Sequence, residues 1–426
     1  MPAAVASPTA LPSQQSDSIP ALTSLRFIAA FAVVVLHYRD LLGDMPAWLL
    51  RGIVGGQYGV TFFFILSGFI LTYKYQSWFA NGVTDAGYWR FQRFRLARIY
   101  PIYVLGLLLD TPWHVLERYQ VGQLSDVAQT YWASWLMNLI GLQAWVPSQP
   151  FAMFWNTPAW SVAAEFFFYA TFPFVTASLT RRIRSAGGLI AAFFAVIVLG
   201  TLLYALVIHA MVYRLNASSQ TQYIVMVYNP LLRYSEFLAG CLAGQYFLRT
   251  RAQPRCAGAA IFASSIGRDA VTVVCLVLIA ARIWSPDYTG PSAQRWLADV
   301  SMKYTVFILP FSALIVALAS GPSRLGRLLD NRALILLGEA SYALYIVHWS
   351  VTTFLRMHFL GAYETPFVHG LFLLGTVALS VVCYRYVEVP WRRRLRGPKS
   401  VRSAKSQPDD GNVGERLLTA VPSNQR

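Results

Sequence analysis

Ten times along the chain a mostly apolar run of roughly 20 residues recurs, the length a helix needs to cross a bilayer core. The runs fall near 22–42, 58–75, 96–112, 160–178, 188–213, 230–248, 268–284, 304–320, 333–354 and 367–389. Hydrophobic residues make up 56% of the 426 and charged residues 13%. Soluble domains carry about 25% charge, so 54 charged side chains would clothe a water-soluble protein of this size poorly. Soluble, disordered, fibrous and disulfide-scaffold classes are excluded. The expected fold class is all-α, a polytopic membrane bundle of about ten transmembrane helices.

Charge then orients the runs. The net charge of +16 comes almost wholly from arginine, since only Lys74, Lys303, Lys399 and Lys405 are lysines. Arginines cluster between apolar runs, at 90–98, 181–184, 249–255, 324–332 and 392–396. This is the pattern of cytoplasmic loops, not of nucleic-acid binding. With a cytoplasmic N-terminus and ten spans, all five clusters fall inside. A further Trp-rich stretch at 131–146 would reverse the later clusters if it crossed, so it is expected to lie on, or dip into, the outer face. The expected location is the inner (plasma) membrane, multi-pass, with both termini cytoplasmic. Residues 1–20 have no basic n-region and read as a disordered cytoplasmic tail. The membrane domain then covers 21–396, and 397–426 forms a second disordered tail. Cys241, Cys256, Cys275 and Cys383 show no paired spacing, so they read as apolar filler and not as disulfides or metal ligands.

Ionisable groups inside spans cost about 2.5–3.5 kcal/mol each on insertion scales, which makes them candidate functional groups. The first run carries Arg26 and His37, eleven residues apart. They share a helical face about 16 Å apart along the axis. The alternative is an arginine snorkelling to headgroups and a histidine satisfying a buried bond. In the second run Gly59, Ser67 and Gly68 permit close backbone approach, for which helix packing is sufficient reason. Arg95 and Arg98 lie three apart at the cytoplasmic boundary, with Arg90 and Arg93 nearby. They suit an anionic ligand, or plain positive-inside anchoring. Glu165 shares a face with Ser161 and Tyr169, and Ser341, Tyr345 and His348 form a second polar face. The same depth is expected for His37, Glu165 and His348, with Arg26, Arg95 and Arg98 nearer the cytoplasm. Glu236, Glu339 and Glu388 are expected at cytoplasmic ends, paired with arginine or snorkelling. Histidine beside a carboxylate is the minimum for general-base activation of a hydroxyl.

These residues also carry a resemblance. Arg26-x10-His37, the GVTFFFILSGF stretch at 59–69, Arg95-x-x-Arg98-Ile-Tyr-Pro, Trp160-Ser161-x-x-x-Glu165 with Phe168-Tyr169, SYALYIVH at 341–348 and Val387-Glu388-x-Pro390 occur in this order. The chain thereby resembles the acyltransferase 3 family of bacterial membrane acyltransferases over residues 20–395. The resemblance implies a ten-span bundle that takes an acyl group, often acetyl, from cytoplasmic acyl-CoA to a hydroxylated acceptor. It implies no bound cofactor, acyl-CoA being a substrate. By the same resemblance His37 looks like the catalytic base or a transient acyl carrier, Arg26 its paired donor-side group, Arg95 and Arg98 the donor-binding motif, and Glu165 part of the acceptor-side site. Trp160 and Ser161 look acceptor-side.

The expected reaction is O-acyl transfer to a carbohydrate such as an exopolysaccharide, O-antigen or lipid-linked glycan. His37 is expected to deprotonate the acceptor, with Glu165 orienting it. Oxyanion donors would come from His348, Ser341 or Tyr345, and Ser67 and Tyr169 are further supporting candidates. Three other classes compete: a transporter or flippase, a non-catalytic partner of glycan export, and an acyltransferase acting on a small secondary metabolite.

Overall fold

The computed structural model describes residues 19–123, 125, 131–253, 256, 258–285, 305–359 and 366–396. The two expected tails at 1–18 and 397–426 lie outside the described residues. Every described regular element is helical. Ten helices follow the ten apolar runs: α1 (Pro20–Tyr38), α2 (Tyr58–Phe79), α3 (Asp85–Gln120), α4 (Trp160–Arg182), α5 (Ala186–His209), α6 (Tyr234–Ala252), α7 (Ser265–Trp284), α8 (Ile308–Ala319), α9 (Arg332–Phe359) and α10 (Pro366–Cys383).

Their starts obey ordinary capping chemistry. Pro20 opens α1, where a missing N–H costs nothing. The hydroxyls of Thr84, Ser185 and Ser264 accept the free N–H groups of Gly87, Gly188 and Gly267 at 3.2, 3.0 and 3.0 Å. Pro101 and Pro112 sit inside α3, which membrane helices tolerate where neighbours re-satisfy the backbone.

Seven helical segments among the described residues are long and apolar enough to cross a membrane, which marks a multi-pass membrane protein. They contain α1, α2, α3, α4, α5, α9 and α10. The expected count of about ten is therefore not reached. The reason is charge and length. Helix α6 holds Glu236, Arg249 and Arg251, α7 holds Arg268, Asp269 and Arg282, and α8 has only 12 residues. The 131–146 stretch is no continuous helix. It forms an eight-residue helix, Trp132–Leu139, a turn at Gly141 with φ 73°, and a single turn at Gln143–Trp145. Eight residues rise about 12 Å, far short of a bilayer core. Asn138 and Gln143 tie the segment to its surroundings through Phe151 O at 3.2 Å and Ala159 O at 3.1 Å.

The arginine-rich segments meet at one end of the bundle. Arg249 donates to Ile183 O at 3.4 Å, Arg268 donates to Pro322 O at 2.6 Å, and Ser24 at the start of α1 donates to Leu329 O at 2.5 Å. At the other end Arg356 pairs with Asp40 at 2.9 Å.

Helices α1, α2, α3, α4, α6 and α9 pack into a common centre, while α5 buries only Ala186, Leu189, Gly200, Tyr204 and Ile208. A tight crossing joins α2 to α6. A Cβ on Gly68 would collide with Phe237 O, and one on Gly240 with Ile65 O, both rigid backbone. Gly59 likewise faces Ala29 O of α1, so these glycines serve helix approach. Gly240→Ala is expected to cost about 1–3 kcal/mol. Gly375→Ala, with open space around it, should be neutral or stabilising by up to ~1 kcal/mol. Thermal unfolding in detergent, followed by labelling of buried Cys241, Cys275 and Cys383, measures both. Equal midpoints would refute the close-packing role.

Candidate active site

A cavity with an empty volume of about 790 Å³ lies between α1, α2, α3, α4 and α9. Its walls are largely apolar, from Phe63, Phe64, Ile70 and Leu71 of α2 and Ile99 of α3. The polar lining is sorted along its length. Arg26, Arg95 and Arg98 come from the early parts of α1 and α3, at the end where the arginine-rich segments meet. Ser161, the second residue of α4, and Tyr345 of α9 lie toward the opposite end.

The arginines are held differently. Arg95, 6% exposed, donates to Tyr169 Oη at 3.1 Å and stacks over the same ring at 4.6 Å. Tyr169 in turn donates to Glu165. Arg26 and Arg98 form no hydrogen bond or ion pair among the described residues and face the cavity with their donors open. Glu388, 2% exposed, lies within electrostatic reach of both and is 3.7 Å from Arg392. With three guanidinium groups and one carboxylate lining it, this end of the cavity is suited to an anion.

One turn beyond Tyr345, α9 presents His348, fully buried. Its Nε2 lies 3.1 Å from Nδ1 of His37 on α1, and the two rings stack at 5.2 Å. His348 Nδ1 lies 3.2 Å from Leu344 O. Arg356 fixes the end of α1 by donating to His37 O at 3.0 Å, and Trp349 meets the His37 ring edge-on at 5.3 Å.

The cavity therefore collects Arg26, Ser67, Arg95, Arg98, Ser161, Glu165, Tyr169, Ser341 and Tyr345, whereas His37, His348 and Trp160 lie off its lining. Two sequence expectations change. Glu165 was expected beside His37, but its hydrogen bond comes from Tyr169, and it shares the cavity with the arginines. Helix α3 begins at Asp85, eleven residues before the apolar run, so Arg95 enters the bundle about 15 Å from its start and reaches Glu165's level. The expected carboxylate neighbour of His37 is replaced by a second histidine. Ser341 donates to Gly338 O at 2.7 Å within its own helix. Ser161 and Tyr345 bond to each other at 2.9 Å and to Pro158 O, which joins α4 to α9. Trp160 packs on Phe64.

One buried ion pair lies elsewhere than the sequence placed it, and a second buried ionisable pair has no counterpart in the sequence expectations. Arg233 binds Glu236 at 3.0 Å and Thr61 Oγ1 at 3.0 Å, under the rings of Phe64 and Trp160. Glu236 is thus near the starts of α2 and α4, at the end of the bundle opposite the arginine-rich segments beside which it was expected. The R-x-x-E spacing at the start of α6 was the available signal. Asp110 and His114 pair at 3.0 Å on α3, and their i,i+4 spacing in an apolar run was equally readable.

A model of the acyltransferase 3 family, an acyltransferase domain, matches residues 19–385. The chain belongs to this family. Among its relatives, acyltransferase MdmB of Streptomyces mycarofaciens is 27% identical over 92% of this chain and 96% of its own length. The putative O-acetyltransferase SACOL0978 of Staphylococcus aureus (strain COL) is 24% identical over 88% of this chain. O-acetyltransferase OatA of Staphylococcus aureus (strain NCTC 8325 / PS 47) is 23% identical over the same share. The chain spans 57% of the length of both staphylococcal relatives. No solved structure matches. This acyltransferase 3 member is an enzyme of the O-acyltransferase class.

Proposed function

We propose that this acyltransferase moves an acyl group, acetyl in the simplest case, from cytoplasmic acyl-CoA to a hydroxyl of a carbohydrate, such as an exported polysaccharide or its lipid-linked precursor. The observation that carries the reading is the polarity of the cavity. Open guanidinium groups stand at one end, and the His37–His348 pair stands one turn beyond the other. An acyl-CoA has the same polarity, with phosphates at one end and the thioester at the tip of a narrow arm. Arg26 and His37 are eleven residues apart on α1, about 16 Å along the axis, a span that an extended arm covers.

In the proposed step the acceptor hydroxyl gives its proton to His37 as its oxygen attacks the thioester carbon. The carbon–sulfur bond breaks, and the departing thiolate takes that proton back from the imidazolium. The products are an ester and free CoA thiol. Arg26, Arg95 and Arg98 neutralise donor phosphates. Tyr169, itself bonded to Glu165, holds Arg95 in place. Residues 21–396 would act as one membrane domain in the inner membrane. Counting α6, α7 and α8 as spans gives ten, with both termini cytoplasmic.

The test is a mass comparison of surface glycans with and without the gene, beside an assay of the purified protein with labelled acyl-CoA. Loss of one acyl increment per modified sugar is the expected result. Loss of the whole polymer would mean an export role. Unchanged glycans with transfer to a small hydroxylated metabolite would overturn the carbohydrate acceptor.

A further inference from the structure

The two buried histidines are joined in a way that fixes where their protons sit. Leu344 O is a backbone carbonyl and can only accept, so the proton in its 3.2 Å contact with His348 is carried on Nδ1. A neutral imidazole protonated at Nδ1 keeps its lone pair on Nε2. That Nε2 faces His37 Nδ1 at 3.1 Å, so His37 must donate from Nδ1. The lone pair of His37 is then left on its own Nε2, the ring nitrogen not engaged by His348.

His348 is 0% exposed and has no carboxylate partner among the described residues. The backbones are held as well: Arg356 binds His37 O, and Thr352 Oγ1 donates to His348 O at 2.9 Å.

We propose that His348 is a positioning residue that holds His37 in the Nδ1–H tautomer, making His37 Nε2 the nitrogen that takes the acceptor's proton. This rests on the base role proposed above for His37. It assigns His348 the part that a buried carboxylate plays in hydrolase triads, here with a neutral acceptor that avoids burying a charge. It also removes His348 from the candidates for oxyanion donor, because its single N–H is spent on Leu344 O.

The test has two readouts on the full chain in lipid nanodiscs. Nitrogen-15 NMR of histidine-labelled protein, assigned by difference from the His37→Ala spectrum, should show His37 protonated at Nδ1 and bare at Nε2. In His348→Phe that tautomer should give way to a mixture. The kcat for acyl transfer should fall on the order of 10²-fold with the donor KM unchanged. His348→Gln, whose carboxamide oxygen can accept from His37, should recover at least about tenfold over His348→Phe. A wild-type spectrum with His37 protonated at Nε2 would overturn the proposal. So would a His348→Phe enzyme with normal kcat, or a glutamine variant no better than phenylalanine. Because the spectrum needs no substrate, the outcomes separate. If His37→Ala transferred acyl groups normally while the spectrum showed Nδ1–H, the base role would fail and the tautomer assignment would stand.

Discussion

His37→Ala is expected to lower acyl transfer by about 10³-fold, with little change in the KM for acyl-CoA. General-base catalysis contributes typically 10²–10⁴-fold. The geometry places His37 above the lower limit of that range, because no other described group near it can take its place. His348 has its lone pair turned to His37, and its own proton goes to Leu344 O. Glu165 is engaged by Tyr169 in the arginine-lined cavity. The donor's phosphates would be held by residues that the substitution leaves intact, so the loss should fall on kcat. Labelled acetyl-CoA and membranes carrying the variant measure it. His209→Ala, an exposed histidine at the end of α5, is the control that should retain full activity. A His37→Ala enzyme within about tenfold of wild type would refute the base role.

The helices were legible because length and apolarity are local properties, and each of the ten runs contains a helix. The arginine clusters were legible for the same reason, since charge is sorted by side along the chain. Contacts between helices were not. His37 and His348 are 311 residues apart, and helical spacing places each on a face without saying which face it meets. Glu165 was misplaced because an apolar run is not the same thing as a helix. The polar turns before Leu96 continue α3 unbroken, so counting depth from the run put the arginines too shallow. The shortfall from ten to seven in helices marked as spans among the described residues comes from the opposite feature. Helices α6 and α7 carry charges that a composition measure rejects, although Arg233 and Thr61 satisfy Glu236 in the folded bundle.

That satisfied pair sets the second large effect. Arg233→Met is expected to destabilise the protein by about 3–5 kcal/mol, because it leaves Glu236 buried without its cation. Arg233 and Glu236 are each 1% exposed, and every described bond of the carboxylate runs to Arg233 or Thr61. The double variant Arg233→Met with Glu236→Leu removes both charges together and should recover most of the loss, since an apolar pair of similar volume has no ion to desolvate. Unfolding midpoints of the wild type, both singles and the double form the cycle. The singles should sum to far more than the double. Strict additivity would mean the two side chains do not depend on each other, and the pair would then be two separate polar groups and not one buried ion pair. The same cycle bears on catalysis. Arg233 lies 5.4 Å from the ring centre of Phe64, which lines the cavity, so the Arg233→Met single should also weaken donor binding while the repaired double restores it.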